Sequence, residues 1–281
     1  MKNLSGRTCI LTGASRGIGP HIARALAAEG VDLALVARNK EQLGALASDL
    51  EPNGSRAVVV AEDLSDPAAV GRIIENSEGA LGPIDILVHD AGISATEVFA
   101  RQDEEEIEQM FRVNAISGIQ LAHRLVPGML ERKRGHIVMM ASLAGKVGMP
   151  FTPIYSATKA AQIAFVEGMY SELHGSGVGF SAVCPGFVRD AGMWYDQADP
   201  AGVGIPRTSG STTPEAVAKA TVEAIKKNRP EALVNFPPMR PLLTLGRMSP
   251  RFQSWFIRRT KMGEPFLKVL DHRRRQEGEP T

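Results

Sequence analysis

The feature that most constrains the fold is a regular alternation of two patterns. Short β-branched runs at residues 8–11, 33–36, 57–60, 84–89, 136–140, 178–183 and 232–235 are separated by helix-period segments at 18–29, 40–50, 67–78, 104–130, 155–174 and 214–227. Parallel strands need a crossover long enough to hold a helix, and strands that are apolar on both faces need cover on both sides. The alternation therefore predicts an α/β fold, a doubly wound parallel sheet with helices above and below. With 43% apolar residues over 281 positions, one large core of this kind can be buried by a single domain.

Directly after the first strand comes Thr12-Gly13-Ala14-Ser15-Arg16-Gly17-Ile18-Gly19, which opens a helix. Glycines here permit a tight turn and let backbone amides and a helix N-terminus approach a pyrophosphate. Strand before and helix after supply the context that such a motif requires, so the sheet reads as Rossmann-type and Gly13, Ser15, Arg16, Gly17, Ile18 and Gly19 as cofactor-binding. At the end of the second strand an NAD enzyme usually carries an acidic residue for the ribose hydroxyls. This chain has Ala37 and Arg38. Arg38 can meet a 2′-phosphate bidentately, with Arg16 closing on it from the other side, which favours NADP(H) over NAD(H). The alternative is two solvated arginines at loop ends.

Tyr155 and Lys159 lie four residues apart in a helical segment and so share a face. A free phenol has a pKa of about 10, and a neighbouring ammonium favours its ionised form. The pair is expected to make a proton donor of the phenol, although the spacing alone arises on any long amphipathic helix.

With the glycine loop, Tyr155 and Lys159 in place, the chain resembles the short-chain dehydrogenase/reductase family over residues 5–236. The resemblance implies hydride transfer between a nicotinamide and a carbonyl or secondary alcohol, with Tyr155 as acid and Lys159 holding the nicotinamide ribose. It implies that Ser142 polarises the substrate oxygen and that Asn114, in Val113-Asn114-Ala115, holds a water in a proton relay. Asp63 and Leu64 correspond to the adenine contact, Pro185-Gly186 to the turn after the sixth strand, and Val188 to the backbone that meets the carboxamide. Family members commonly assemble as dimers or tetramers through their long helices, so a homo-oligomer is expected. Two positions depart from the pattern. His89-Asp90-Ala91-Gly92 stands where Asn-Asn-Ala-Gly is usual, so that Asp90 either makes different bonds or stays protonated; Asp190 replaces a threonine after Val188.

Beyond residue 236 the composition changes. The segment 239–275 holds ten lysines and arginines against Glu264 and Asp271, on a chain whose net charge is only +1. The expected division is a dinucleotide-binding catalytic domain over 1–236 and a basic amphipathic C-terminal extension over 237–281, helical in character. Leu242, Leu243, Leu245, Met248, Phe252, Trp255, Phe256 and Ile257 interleave with the charges. That pattern suits a helix pair lying on an anionic membrane surface or capping a long apolar substrate; the alternative is an extension packed on the core with a solvated basic face. With Met193, Trp194 and Tyr195 in the glycine- and proline-rich stretch 189–213, it favours a bulky lipophilic ketone. That stretch reads as a mobile loop over the site.

Near-neutral charge and the lack of a binding module argue against nucleic acid. Cys9 and Cys184 sit in strand-like runs with no metal-site spacing, so no metal is expected. No opening signal sequence and no spanning run of about 18 residues is found, and a cytoplasmic location is expected. Two readings of another class compete: a non-catalytic NADPH-binding sensor on the same fold, and a peripheral membrane or interaction protein acting through its tail.

Overall fold

The computed structural model describes residues 1–51, 54–206 and 209–277. Seven strands, β1 (Thr8–Thr12), β2 (Asp32–Ala37), β3 (Ala57–Ala61), β4 (Ile86–His89), β5 (Gly135–Met140), β6 (Val178–Pro185) and β7 (Glu231–Val234), form one sheet in the order β3-β2-β1-β4-β5-β6-β7. Every pairing is parallel, with registers such as Thr12 beside His89 and Met140 beside Val183. The order reverses between β1 and β4, so a crevice opens at the carboxyl ends of those two strands.

Helices α1 (Gly19–Ala27), α2 (Lys40–Leu50) and α8 (Pro214–Lys227) cover one face. There Ile22, Leu26, Leu43, Val217 and Ile225 bury against Leu11, Leu33 and Val183. Helices α3 (Ala69–Leu81), α5 (Ser117–Glu131) and α6 (Pro153–Glu172) cover the other, with Ile73, Leu121, Leu125, Ile163 and Val166 against Ile10, Ile137 and Phe180. Burying such a side chain contributes about 1.5–3 kcal/mol, so two apolar layers hold the strand ends in fixed register beneath the site. Cys9 and Cys184 are buried and free, as their strand-like surroundings require.

Three segments differ from the sequence expectation. The single helix expected over 104–130 is α4 (Glu104–Phe111), one π-helical turn (Arg112–Ile116) and α5. Pattern alone does not show the extra residue of a π turn, because the apolar stripe continues through it. Inside the stretch expected to be a loop stands a six-residue helix, α7 (Met193–Ala198), too short for a periodic signal. The tail is three helices rather than two: α9 (Arg240–Met248), α10 (Pro250–Arg259) and α11 (Glu264–Glu277). Met149, Ile257, Met262 and Phe266 form a third apolar cluster, joined by Phe187, Trp194 and Phe256, which seats the tail over the end of the sheet.

Candidate active site

The loop after β1 passes so close to the loop after β4 that side chains have no room. A Cβ on Gly13, whose φ is +71°, would come 2.8 Å from the backbone nitrogen of Ala91, and one on Gly19 would strike the carbonyl oxygen of Gly13. α1 begins at this point without a side-chain cap; the N–H groups of Gly19, His21 and Ile22 are bonded to the carbonyls of Arg16 and Ile18 and Pro20 has none, so the open donors are the backbone amides of the glycine turn, Ser15 to Ile18. A second polar opening lies across the crevice. The parallel bridge of Val188 with Thr212 uses the N–H of Arg189 and the carbonyl of Phe187, and leaves the N–H and carbonyl of the buried Val188 without a protein partner. A dinucleotide fits both: its diphosphate at the open amides of the glycine turn, its amide at a free backbone donor and acceptor.

At the far end of the crevice Arg38 and Asp63 come together, 3.8 Å apart and both exposed, at the ends of β2 and β3, with Leu64 buried behind them. Arg16 does not join them. Its guanidinium lies 3.2 Å from Asp196 of α7, so the cation beside Asp63 at the end of β2 is Arg38, without Arg16. Ser15 and Ile18 stay on the glycine turn, and Ile18 also lines the crevice.

At the other end Asn114, Ser142, Tyr155 and Lys159 meet. α6 presents Tyr155, Thr158, Lys159 and Gln162 on one face. The Lys159 ammonium donates to the carbonyl of Met140 at 2.7 Å and lies 5.5 Å from the centroid of the Tyr155 ring. Ser142 accepts from the N–H of Ala144 and donates to the carbonyl of Pro185 at 3.4 Å. The π turn aims the Asn114 amide away from its own helix. Its Oδ1 accepts from the N–H of Ile93 at 2.7 Å, and its Nδ2 donates to the carbonyl of Ile93 and to the Thr158 hydroxyl. Gln162 donates to the Asn114 carbonyl at 2.6 Å. Thr158 and Gln162 escape a motif search, yet the 155, 158/159, 162 spacing on one face could have found them.

The electrostatics differ from expectation at the phenol. Burial pushes Tyr155 up to about 12, the Ser142 hydroxyl opposing the shift and Asp90 adding to it; Lys159, turned to Met140, does not bring it down. Burial also pulls the Lys159 ammonium below its usual value, against the attraction of Asp90. Asp90 itself is raised to about 8 by burial, with Lys159 opposing. Burial thus favours its protonated form, the direction in which a carboxyl standing in for an asparagine regains a donor.

His89, the other unusual residue of that turn, is fully buried and held near pKa 4 by burial. Its Nδ1 accepts from the Thr12 hydroxyl, whose oxygen accepts from the N–H of Ala91, while Nε2 donates to the carbonyls of Val113 and Asn114. It thus ties β1, the Asp90-Ala91-Gly92 turn and the π turn together. Gly92 approaches Asn114 and Lys159 closely, Gly186 abuts Asn235 and Leu143, and Asp190 is exposed at φ +66° and does not line the crevice.

Above these groups is a cavity of about 200 Å³, bounded below by Ser142, Tyr155 and Lys159 and above by Trp194, Leu243, Phe256 and Phe266. Its walls are mainly apolar, with Thr96, Gln197 and Gln253 adding polar groups away from the reacting end. Among the described residues no cluster of three metal-binding side chains occurs.

A nucleotide crevice at the switch point, ending in a buried lysine beside a half-buried phenol and hydroxyl, defines a nicotinamide-dependent oxidoreductase. Residues 7–200 match the family model for short chain dehydrogenases, and the chain belongs to that family. It is 38% identical over 265 residues to the ketoacyl reductase HetN of a Nostoc species, covering 91% of each chain. It is 34% identical over 230 residues to the oxidoreductase UcpA of Escherichia coli, covering 82% of this chain and 84% of that one. L-sorbose reductase from Gluconobacter frateurii, solved with NADPH and L-sorbose, superposes with a TM-score of 0.76 at 26% identity, over 83% of this chain and 97% of that one. A metagenomic short-chain oxidoreductase solved with NADP gives 0.69 at 29% identity, over 82% and 97%.

Proposed function

We propose that the protein reduces a bulky, apolar carbonyl compound with NADPH in preference to NADH. The observation that carries this reading is the lining of the cavity: reacting groups at Ser142, Tyr155 and Lys159, and mainly apolar walls contributed by both the catalytic core and the tail. The NADP and NADPH bound in the solved relatives, together with Arg38 in place of an acidic residue, support the cofactor preference.

When bound, the nicotinamide supplies the hydride for the carbonyl carbon. The remaining work belongs to this chain. Ser142 donates a hydrogen bond to the substrate oxygen and stabilises the charge that develops there. Tyr155, kept protonated by its surroundings, gives its proton to that oxygen. Lys159, turned to Met140 rather than to the phenol, holds the nicotinamide ribose in this reading, and Asn114, fixed by Ile93 and Thr158, orients a water that returns the proton. Gly13, Gly17, Gly19, Asp63, Leu64, Asp90, Ala91, Gly92, Pro185, Gly186 and Val188 line the cofactor side in this reading. The catalytic unit corresponds to residues 1–236, and the extension from 237 onward closes the substrate side. A homo-oligomer in the cytoplasm is the accompanying expectation, with exposed Ile116 at the α4–α5 junction on a candidate subunit face.

The test is loss of NADPH absorbance, with NADH in parallel, across ketones graded from small and polar to long and apolar. NADPH-linked turnover that rises with apolar bulk and vanishes in Tyr155→Phe, which should still bind NADPH, is the expected result. Equal rates on small polar ketones, or an active Tyr155→Phe, would overturn the reading.

A further inference from the structure

Helices α9 and α10 have two apolar faces, and the cavity uses only one of them. Leu243, Phe252, Phe256 and Ile257 face inward. On the opposite side Met248 is 79% exposed, Trp255 53% and Leu245 49%, with Phe236 exposed where the segment begins. Leu245 and Met248 are three residues apart on α9. Trp255 sits one turn from Arg251 and one turn from Arg259 on α10, beside Arg258. Between residues 240 and 259 there are five arginines and no acidic residue. Among the described residues no carboxylate lies within ion-pair distance of Arg240, Arg251, Arg258 or Arg259.

We infer that the outer face of the α9–α10 hairpin docks on an anionic lipid bilayer. Exposed Trp, Met and Leu flanked by arginines, with no acidic residue among them, match an interface that takes apolar side chains just below a layer of negative headgroups. The arginine stems lie along the apolar surface while their heads remain with the phosphates. No helix among the described residues is long and apolar enough to cross a membrane, so the contact is peripheral. Because the same two helices wall the cavity, the docked face lies one helix thickness from the bound substrate. A poorly soluble ketone then has a short route from the lipid phase. The docking itself stands on the exposed face and is independent of which ketone is reduced.

The test is co-sedimentation of the full chain with vesicles of phosphatidylcholine alone, and with vesicles holding roughly one-third phosphatidylglycerol. Binding is expected on the anionic vesicles only, falling in high salt. It should fall at least tenfold in Met248→Ser/Trp255→Ser, and about fivefold for each of Arg251→Gln and Arg258→Gln. None of the four residues lines the cavity, so cofactor binding and melting temperature should match the wild type and show that the variants are folded. Failure to bind anionic vesicles, equal binding to both vesicle types, or variants that bind as the wild type does would overturn the inference. So would a self-association in sedimentation velocity that the double variant abolishes, which would make this face a subunit contact. A protein that binds vesicles yet reduces no ketone would sink the substrate reading and leave the docking intact.

Discussion

At the scale of single residues, the cofactor preference turns on one guanidinium. Arg38 is exposed and held only loosely by Asp63, so it is free to reorganise around a phosphate. Charge-assisted hydrogen bonds contribute about 1.5–3 kcal/mol each. Arg38→Asp is therefore expected to raise the NADPH KM by about 10- to 100-fold and to shift the preference toward NADH; an unchanged ratio would remove Arg38 from the cofactor site. Tyr155 and Lys159 are legible in the sequence because both lie on one helix face, where spacing and geometry coincide. The role of His89 is not legible, since its partners Thr12, Val113 and Asn114 come from two other segments. Nor does sequence spacing show that the fold's surroundings push the Tyr155 phenol up rather than down, since that depends on what the folded chain packs around it.

At the scale of elements, the tail is held by more than its apolar cluster. Arg273 and Arg274 of α11 each lie 2.6 Å from the carboxylate of Glu97, in the segment after β4. Glu97 also accepts from the N–H of Val98, and its own N–H donates to the carbonyl of Phe151. Glu97→Gln keeps the shape and removes the charge that two guanidinium groups share. With Glu97 and Arg274 mostly shielded from water and Arg273 partly exposed, the expected loss is about 1–2 kcal/mol of stability, read as a lower denaturation midpoint. The KM for long apolar ketones should rise while that for small ones holds. An unchanged midpoint would mean that the apolar cluster alone seats the tail. This latch joins residues about 176 positions apart, and no local pattern announces it. The strands, by contrast, were readable to within a residue or two, because each is a short β-branched run bounded by polar turns. The π turn was hidden by the continuing apolar stripe of the helix around it.

At the scale of the whole molecule, two buried histidines set the acid limit of stability. Burial lowers His89 to about 4 and His136 to about 3; His136 is hydrogen-bonded to Ser181 and its shift is deepened by the N-terminal charge. The unfolded chain binds protons at both positions near pH 6.5, before the folded chain does. The two histidines should thus cost stability between about pH 6.5 and 4, by about 1.4 kcal/mol per pH unit each, while Asp90, raised to about 8 by burial, works the other way from about pH 8 down to 4 and offsets about one histidine's share. Urea midpoints at pH 7 and pH 5 measure the slope, and His136→Gln should make it shallower; an equal slope would exclude His136 as its source. The order of the elements along the chain has one more consequence. Every strand of the sheet, and with it the nucleotide crevice, is synthesised before the tail helices α9 to α11, which contribute Leu243, Phe256 and Phe266 to the roof of the cavity. A nascent chain can thus mature its cofactor half first, and evolution can exchange the roof, altering what is admitted while the chemistry beneath is left alone.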